Sequence, residues 1–323
     1  MLKKVKSVIK EVYPLSFIWR KIDWLITKNK IKKDIRIIPN SIYKKTFGKN
    51  INWNNPKTLI EKIYWMQLYT DTSLWTLCAD KYAVRQFVLD RGCGEALNTF
   101  YGKWDNATQI NWDELPNSFV LKTNNACGQI VFVKDKNKLN IPQTINKLNN
   151  WLDAKYGYRD AQFHYTKIKP CIIAEKLLES VEEKSSPLID YKVWCFNGKP
   201  ESIIVVHSRT KNSLLITFFD LEWNNITKYA VSNSHKEYSN IHIPKPHSLS
   251  DMIKIAEKLS EGIPQVRVDF YEISGKAVFG EMTFTTGFGA LSSDYYNYLG
   301  GKIDLSQIKK LEIPLQPLNC MHN

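Results

Sequence analysis

The stretch Gln265–Gly289, QVRVDFYEISGKAVFGEMTFTTGFG, decides the fold. Two runs of β-branched, aromatic and aliphatic residues flank Ser274-Gly275, a pattern that predicts a hairpin. With the turn centred near Gly275, Asp269 falls opposite Glu281 and Arg267 opposite Thr283. Side chains alternate faces along a strand, so these four share one side of the hairpin. Two carboxylates about 5 Å apart at Cβ repel unless a cation or a proton lies between them. Mg²⁺ takes oxygen ligands, usually one or two carboxylates plus substrate phosphates. An adjacent arginine suits a phosphate or acyl phosphate, which it can hold bidentately. Taken alone, the stretch equally allows a surface hairpin whose charges are solvated or paired as Arg267–Glu281. The rest of the chain must decide.

The 323 residues suffice for two domains or one large lobed one, and an apolar share of 43% calls for a packed core. Cys78, Cys93, Cys127, Cys171, Cys195 and Cys320 show no CxxC spacing, which points to a reduced, cytoplasmic protein rather than a disulfide framework or zinc site. The N-terminal apolar residues are broken by lysines and Pro14, so no secretory signal is expected. Ten Trp and sixteen Tyr fit sugar or base stacking as well as plain core. The net charge of +13 is local: residues 1–50 hold fourteen Lys/Arg against three acids, leaving +2 for the other 273 residues. This basic arm, with Tyr13, Phe17, Trp19 and Trp24 among its cations, has three readings. It is an extension packing its aromatics on the body, a peripheral contact to the inner membrane face, or, third, a nucleic-acid contact. The expected division is arm 1–50, first lobe 51–175 and second lobe 176–323.

In order, residues 51–75 predict an amphipathic helix with Leu59, Ile63, Met66 and Leu68 on its apolar face. Asp80–Leu89 predicts a second helix capped by Asp80, with Lys81 and Arg85 one turn apart, where two cations either reach for solvent, the favoured reading, or hold a shared anion. Phe119–Lys122 and Ile130–Val133 read as strands around the small-residue turn 124–128, where backbone N–H groups and Lys122 would meet a phosphate. A plain polar-turn hairpin has the same letters. Residues 141–156 read as a helix opening at Pro142, and 157–165 as a polar, aromatic, flexible segment. Residues 171–179, CIIAEKLLE, form a buried strand that could present backbone amides and a Glu to an adenine edge, or simply leave the core. Asp190–Val206 forms a hairpin around Asn197-Gly198 that puts Asp190 and Lys192 on one face. A strand at 214–220 and a helix at Asp251–Ser260 precede the opening hairpin.

The order of DKYAVRQFV, FVLKTN, IKPCIIAEKLLE, DYKVWCFNGKP and VRVDFYEISGKAVFGEMTF resembles the ATP-grasp superfamily of carboxylate–amine ligases. Within it, the chain is similar to the teichuronopeptide-biosynthesis branch of bacterial surface-polysaccharide loci, whose members are often labelled glycosyltransferases. The likeness covers roughly residues 54–300. It implies an α+β ATP-grasp fold, two lobes with antiparallel sheets gripping the nucleotide, with ATP and Mg²⁺ as cofactors. By that likeness Lys81 and Lys122 hold the ATP phosphates, with Asn124 and Gly128 in the phosphate loop. Glu175, Lys176, Leu177 and Leu178 form the hinge that meets adenine, and Asp190 and Lys192 lie on a nucleotide-facing strand. Asp269, Glu281 and Thr283 correspond to metal ligands, and Arg267 steadies the acyl phosphate. The loop Asn124–Gln129 is poorer in Gly than is usual in the superfamily, and Thr283 stands where many members have Asn.

The chemistry implied is carboxylate activation by ATP followed by amide formation on a cell-surface polysaccharide or its precursor, an amino acid joining a uronic acid. The partners are then an acidic sugar and an amine. Arg159, His164 and Arg209, in polar segments between the nucleotide motifs, are candidates to meet the sugar. A glycosyltransferase of capsule biosynthesis is the first rival, weakened because no Asp-x-Asp pair occurs. A non-catalytic module binding membrane or nucleic acid through the arm is the second. Such a module would not need two phosphate lysines and a metal hairpin.

Overall fold

The computed structural model describes residues 13–179, 188–207, 214–231, 236–238, 243–287 and 291–312, and the structural statements below concern those residues. Two sheets organise the chain. The first contains β1 (Phe100–Trp104), β2 (Phe119–Thr123), β3 (Ile130–Val133) and β4 (Ile172–Glu175), in the antiparallel order β1-β4-β2-β3. The second contains β5 (Asp190–Phe196), β6 (Lys199–His207), β7 (Leu214–Phe219), β8 (Lys236–Tyr238), β9 (Val266–Ile273) and β10 (Lys276–Thr283). Its order is β10-β9-β5-β6-β7-β8, antiparallel except for the parallel edge pair β7–β8. The fold is α+β with two sheet-based lobes, as expected, and the parallel edge is the one departure.

Eight helices accompany the sheets among the described residues: α1 (Tyr13–Lys33), α2 (Ile37–Phe47), α3 (Leu59–Tyr69), α4 (Ser73–Ala79), α5 (Val84–Asp90), α6 (Ile141–Leu152), α7 (Leu249–Ser260) and α8 (Ser293–Gly301). The small lobe packs α6, through Leu148, on Phe119, Leu121, Val133, Ile172 and Ala174. In the large lobe α7 buries Leu249, Met252, Ala256 and Leu259, a single helical face, against the second sheet.

Several expectations shift in position. The helix expected through 51–75 is α3 followed by α4, with a break at Thr70–Thr72. It begins at a capping box in which Thr58 accepts the Glu61 N–H and Glu61 accepts the Thr58 N–H. The helix expected from Asp80 becomes regular at Val84, although Asp80 Oδ1 accepts the N–H groups of Tyr82 and Ala83 as a capping side chain does, along with the side-chain amide of Asn124. α6 ends at Leu152, short of 156. The segment 157–165 is packed rather than loose: Tyr158, Ala161, Phe163, His164 and Tyr165 are buried. Gln67, itself buried on α3, holds it by donating to Ala161 O and accepting the Phe163 N–H. The basic arm is stitched into the body as well, since Ile31, Ile38 and Tyr43 lie in the same core as α3.

Candidate active site

The decisive hairpin is present, but its register has two parts. Ser274 and Gly275 form a two-residue turn with φ of 52° and 71°, the left-handed pair such a turn requires. That turn alone would set Gly280, not Glu281, against Asp269. A one-residue bulge between Phe279 and Glu281 absorbs Gly280 and restores the pairs Glu281↔Asp269 and Thr283↔Arg267. The expectation of a turn centred on Gly275 reached the right partners without seeing the bulge. A side chain at Gly280 would meet the Asp269 carbonyl at 3.0 Å, so the bulge favours glycine.

Strand β5 extends the row, with Lys192 opposite Asp269. Glu281, Asp269 and Lys192 thus run across three strands. Lys192 Nζ lies 2.5 Å from Asp269 and 3.5 Å from Asp190. Arg267 grips both Asp269 oxygens, Nε at 2.6 Å and Nη2 at 2.7 Å, and donates to Thr283 and Thr286. It also comes within 3.8 Å of Glu281, whose Oε1 accepts from Thr283 at 3.3 Å. Burial by itself would raise the Asp269 carboxyl, but Arg267 and Lys192 more than offset it and hold the group below its ordinary value. Glu281 keeps 34% of its side chain exposed.

The small lobe contributes a second cluster. Glu175 is buried at the end of β4 and joins Arg85 at 3.2 Å to Lys122 at 2.8 Å. Lys81 donates to Ala126 O at 2.7 Å and stands 4.0 Å from Glu281, linking the two clusters. Lys81, Lys122, Arg85 and Glu175 face Phe279 and Gly280 of β10 across a small cavity. Lys81 and Arg85 therefore turn inward to carboxylates, not outward to solvent as expected. Their one-turn spacing allowed both readings, and the positions of Glu175, for Arg85, and Glu281, for Lys81, choose.

The remaining site residues divide. Gly128, at φ 76° with open space where a side chain would be, leaves the loop apex bare. Asn124 belongs to the fold instead of the phosphate: its amide donates to Asp80 and Lys169 O, its Oδ1 accepts the Cys171 N–H, and its own N–H goes to Cys171 O. Glu175 does not offer a free carboxylate to adenine, because both oxygens are taken by cations. The Lys176 N–H bonds Thr99 O and is not spare, while its carbonyl accepts one bond from Asn98 and keeps a second lone pair; Leu177 and Leu178 follow, half-buried. His164 is corrected outright. It is fully buried beside Gln67, and burial drops its pKa to about 3, so it packs rather than meeting a sugar. Arg159 is exposed and pairs with Asp23 of α1 at 3.8 Å. Arg209 lies outside the described residues.

Two cavities adjoin this arrangement. One, of about 430 Å³, lies between α1 and the segment 153–160 and is lined by Asp23, Trp24, Tyr156, Tyr158, Arg159 and Asp160 among others. The other, about 250 Å³, shares Tyr156 and Tyr158 as a wall and reaches Asn125 of the turn 124–128, with Lys155, Lys167 and Lys169 around it. Asn125 is buried and its Oδ1 has no protein partner. The aromatic count of the sequence hinted at such walls, but the meeting of α1 with residue 158 is too distant along the chain to be read from it.

The metal question turns on donor chemistry. Asp269, Glu281 and the Thr283 hydroxyl form an all-oxygen set on one face, which fits Mg²⁺. Among the described residues no three His, Cys, Asp or Glu side chains converge as an all-protein metal cage.

No curated protein matches the chain. Among solved structures, D-alanine–D-alanine ligase from Bacillus anthracis complexed with ATP is 16% identical at a TM-score of 0.43, covering 73% of this chain and 66% of that one. An ADP complex of N5-carboxyaminoimidazole ribonucleotide synthetase is 12% identical at 0.42, covering 68% and 48%. The ATP-grasp ligase PsnB, complexed with a minimal precursor, Mg and ADP, is 9% identical at 0.35, covering 71% and 60%. The chain thus spans about half to two thirds of the length of these three proteins. A family model, TupA-like ATPgrasp, matches residues 61–304, from the capping box of α3 to the turn after α8. With more than half of its length matched, the chain belongs to the TupA-like ATP-grasp family.

Proposed function

We propose that the protein is an ATP- and Mg²⁺-dependent carboxylate–amine ligase acting on a cell-surface polysaccharide or its precursor. The observation that carries this reading is the row Glu281–Asp269–Lys192 with Arg267 beside it, joined through Lys81 to the phosphate loop. In the reaction, a carboxylate attacks the γ-phosphoryl group of ATP, giving ADP and an acyl phosphate. An amine then displaces phosphate to leave an amide. Positioning and charge neutralisation carry such a step. Asp269, Glu281 and Thr283 would hold Mg²⁺, which when bound neutralises phosphate charge. Lys81 and Lys122 would bind phosphate oxygens, each leaving a carboxylate or carbonyl contact to do so. Arg267, fixed by Asp269, Thr283 and Thr286, would face the acyl phosphate with little freedom to reorient.

An amino acid joined to a uronic acid is the finer form of the proposal. Its support is the pair of cavities, which combine Trp24, Tyr156 and Tyr158 with Arg159 and three lysines and reach the phosphate loop at Asn125. Aromatic walls with a few charged groups suit a sugar ring bearing a carboxylate.

The experiment is thermal unfolding with Mg–ATP, Mg–ADP or a UDP-sugar, with and without EDTA. Nucleotide at 100 times its dissociation constant should stabilise by about 2.7 kcal/mol, and EDTA should remove that gain. Phosphate release should then appear with a uronic acid and an amino acid together. Stabilisation by the UDP-sugar alone would sink the ligase reading.

A further inference from the structure

We propose that the outward face of α1 docks on an anionic lipid bilayer, an inference independent of the ligase reading. The helix turns Trp24, Thr27 and Ile31 inward: Trp24 meets Tyr158 edge-on at 4.7 Å, and Thr27 and Ile31 are buried. Ile22, Leu25 and Ile26 are 43%, 57% and 50% exposed. At 3.6 residues per turn these three form one stripe about half-way round the helix from the inward residues. Among its described side chains α1 is therefore apolar on two opposite sides, one buried and one exposed. Three exposed apolar neighbours on one turn differ from the scattered single ones normal at a surface.

The surrounding charge selects the occupant. Residues 1–50 carry fourteen Lys/Arg against three acids, and Lys28, Lys30, Lys32 and Lys33 follow the stripe on the same helix. Asp23 is turned to Arg159 and Asp34 is bonded to Arg36 at 2.8 Å, so each already has a cation beside it. An apolar stripe beside lysines suits a helix lying in the headgroup region of an anionic membrane. A second copy of the chain would bring the same positive charge against it. Among the described residues no helix is long and apolar enough to cross a membrane, so the contact is with the surface. Because α1 also walls the 430 Å³ cavity, docking would hold that cavity near the lipid.

The test is flotation of the full chain with phosphatidylcholine vesicles, with and without phosphatidylglycerol. Binding should require phosphatidylglycerol and fall as salt shortens the screening length. Replacing Ile22, Leu25 and Ile26 together with Ser should weaken binding by about tenfold or more, from the apolar area lost. The double variant Lys30→Glu/Lys33→Glu should weaken it by a similar factor through charge, about fivefold per lysine. Circular dichroism melts that match the parent's would show that both variants fold. No binding by the parent, equal binding to both vesicle types, or unchanged binding by the triple variant would overturn the proposal. A triple variant that loses a dimer seen by light scattering without lipid, while still floating, would give the face to a second copy.

Discussion

Taking the charge from Asp269 would leave Arg267 and Lys192, both inward-facing, without their shared partner. Asp269→Asn should therefore lower stability by about 3–5 kcal/mol, read by urea unfolding, besides removing a proposed metal ligand. Glu281→Gln is the cleaner probe. With its side chain one third exposed it should stay within about 0.5 kcal/mol of the parent in stability, yet abolish the Mg²⁺-dependent shift with nucleotide. A Glu281→Gln protein that keeps the shift would remove Glu281 from the metal set. Acid sensitivity follows from the same scale. Asp269 is held low in the folded state, so its contribution is complete above the ordinary carboxylate range and is lost as pH falls through the lowered value. His164, at about 3 against an ordinary 6.5, acts earlier: below about pH 6.5 the unfolded chain takes a proton that the folded one refuses. From pH 6.5 to 5 the loss should steepen towards about 1.4 kcal/mol per unit, with His207, also lowered by burial, adding to the slope. His164→Phe should flatten that limb in urea titrations; an unchanged slope would disprove the assignment.

Among the elements, the β9–β10 hairpin depends on how one extra residue is absorbed. Gly280→Val should destabilise by about 1–3 kcal/mol by pressing on the Asp269 carbonyl, with a weaker nucleotide shift. Gly280→Ala should do less of both, and equal stability of all three proteins would mean that the bulge is not tight. This element also shows what the sequence holds. Alternation gave the strands, and Asn197-Gly198 and Ser274-Gly275 gave the turns, because left-handed backbone selects few residues. The bulge was invisible because a glycine in a strand marks several things. The inward turn of Lys81 and Arg85, the structural use of Asn124 and the burial of His164 depend on partners far along the chain: Glu281 and Glu175, Asp80 with Cys171, and Gln67. Local pattern carries no signal for them.

For the molecule as a whole, the charge map invites deletion of residues 1–50. The fold changes what that experiment means. It would take Ile31, Ile38 and Tyr43 out of the main core, at about 2–5 kcal/mol for each such side chain. The truncated protein should therefore melt far below the parent, and any loss of activity would be loss of fold. A truncation that melted like the parent would show that α1 and α2 add nothing to the core. The surface substitutions on α1 are the way to ask about the arm while keeping the body.

Asp269 already has two resident cations, and this bears on the sequence of binding events. A free divalent ion would have to compete with fixed ammonium and guanidinium groups for the same carboxylate. An ion arriving on a triphosphate brings its own counter-charge, which Lys81, Lys122 and Arg267 can share. Metal and nucleotide should accordingly enter together, each raising the affinity for the other by the same factor. Titration calorimetry with Mg²⁺ alone should show almost no heat, and the same titration with ADP present a clear isotherm. Strong binding of the bare ion would mean that Lys192 yields its place readily, and the two ligands would then be independent.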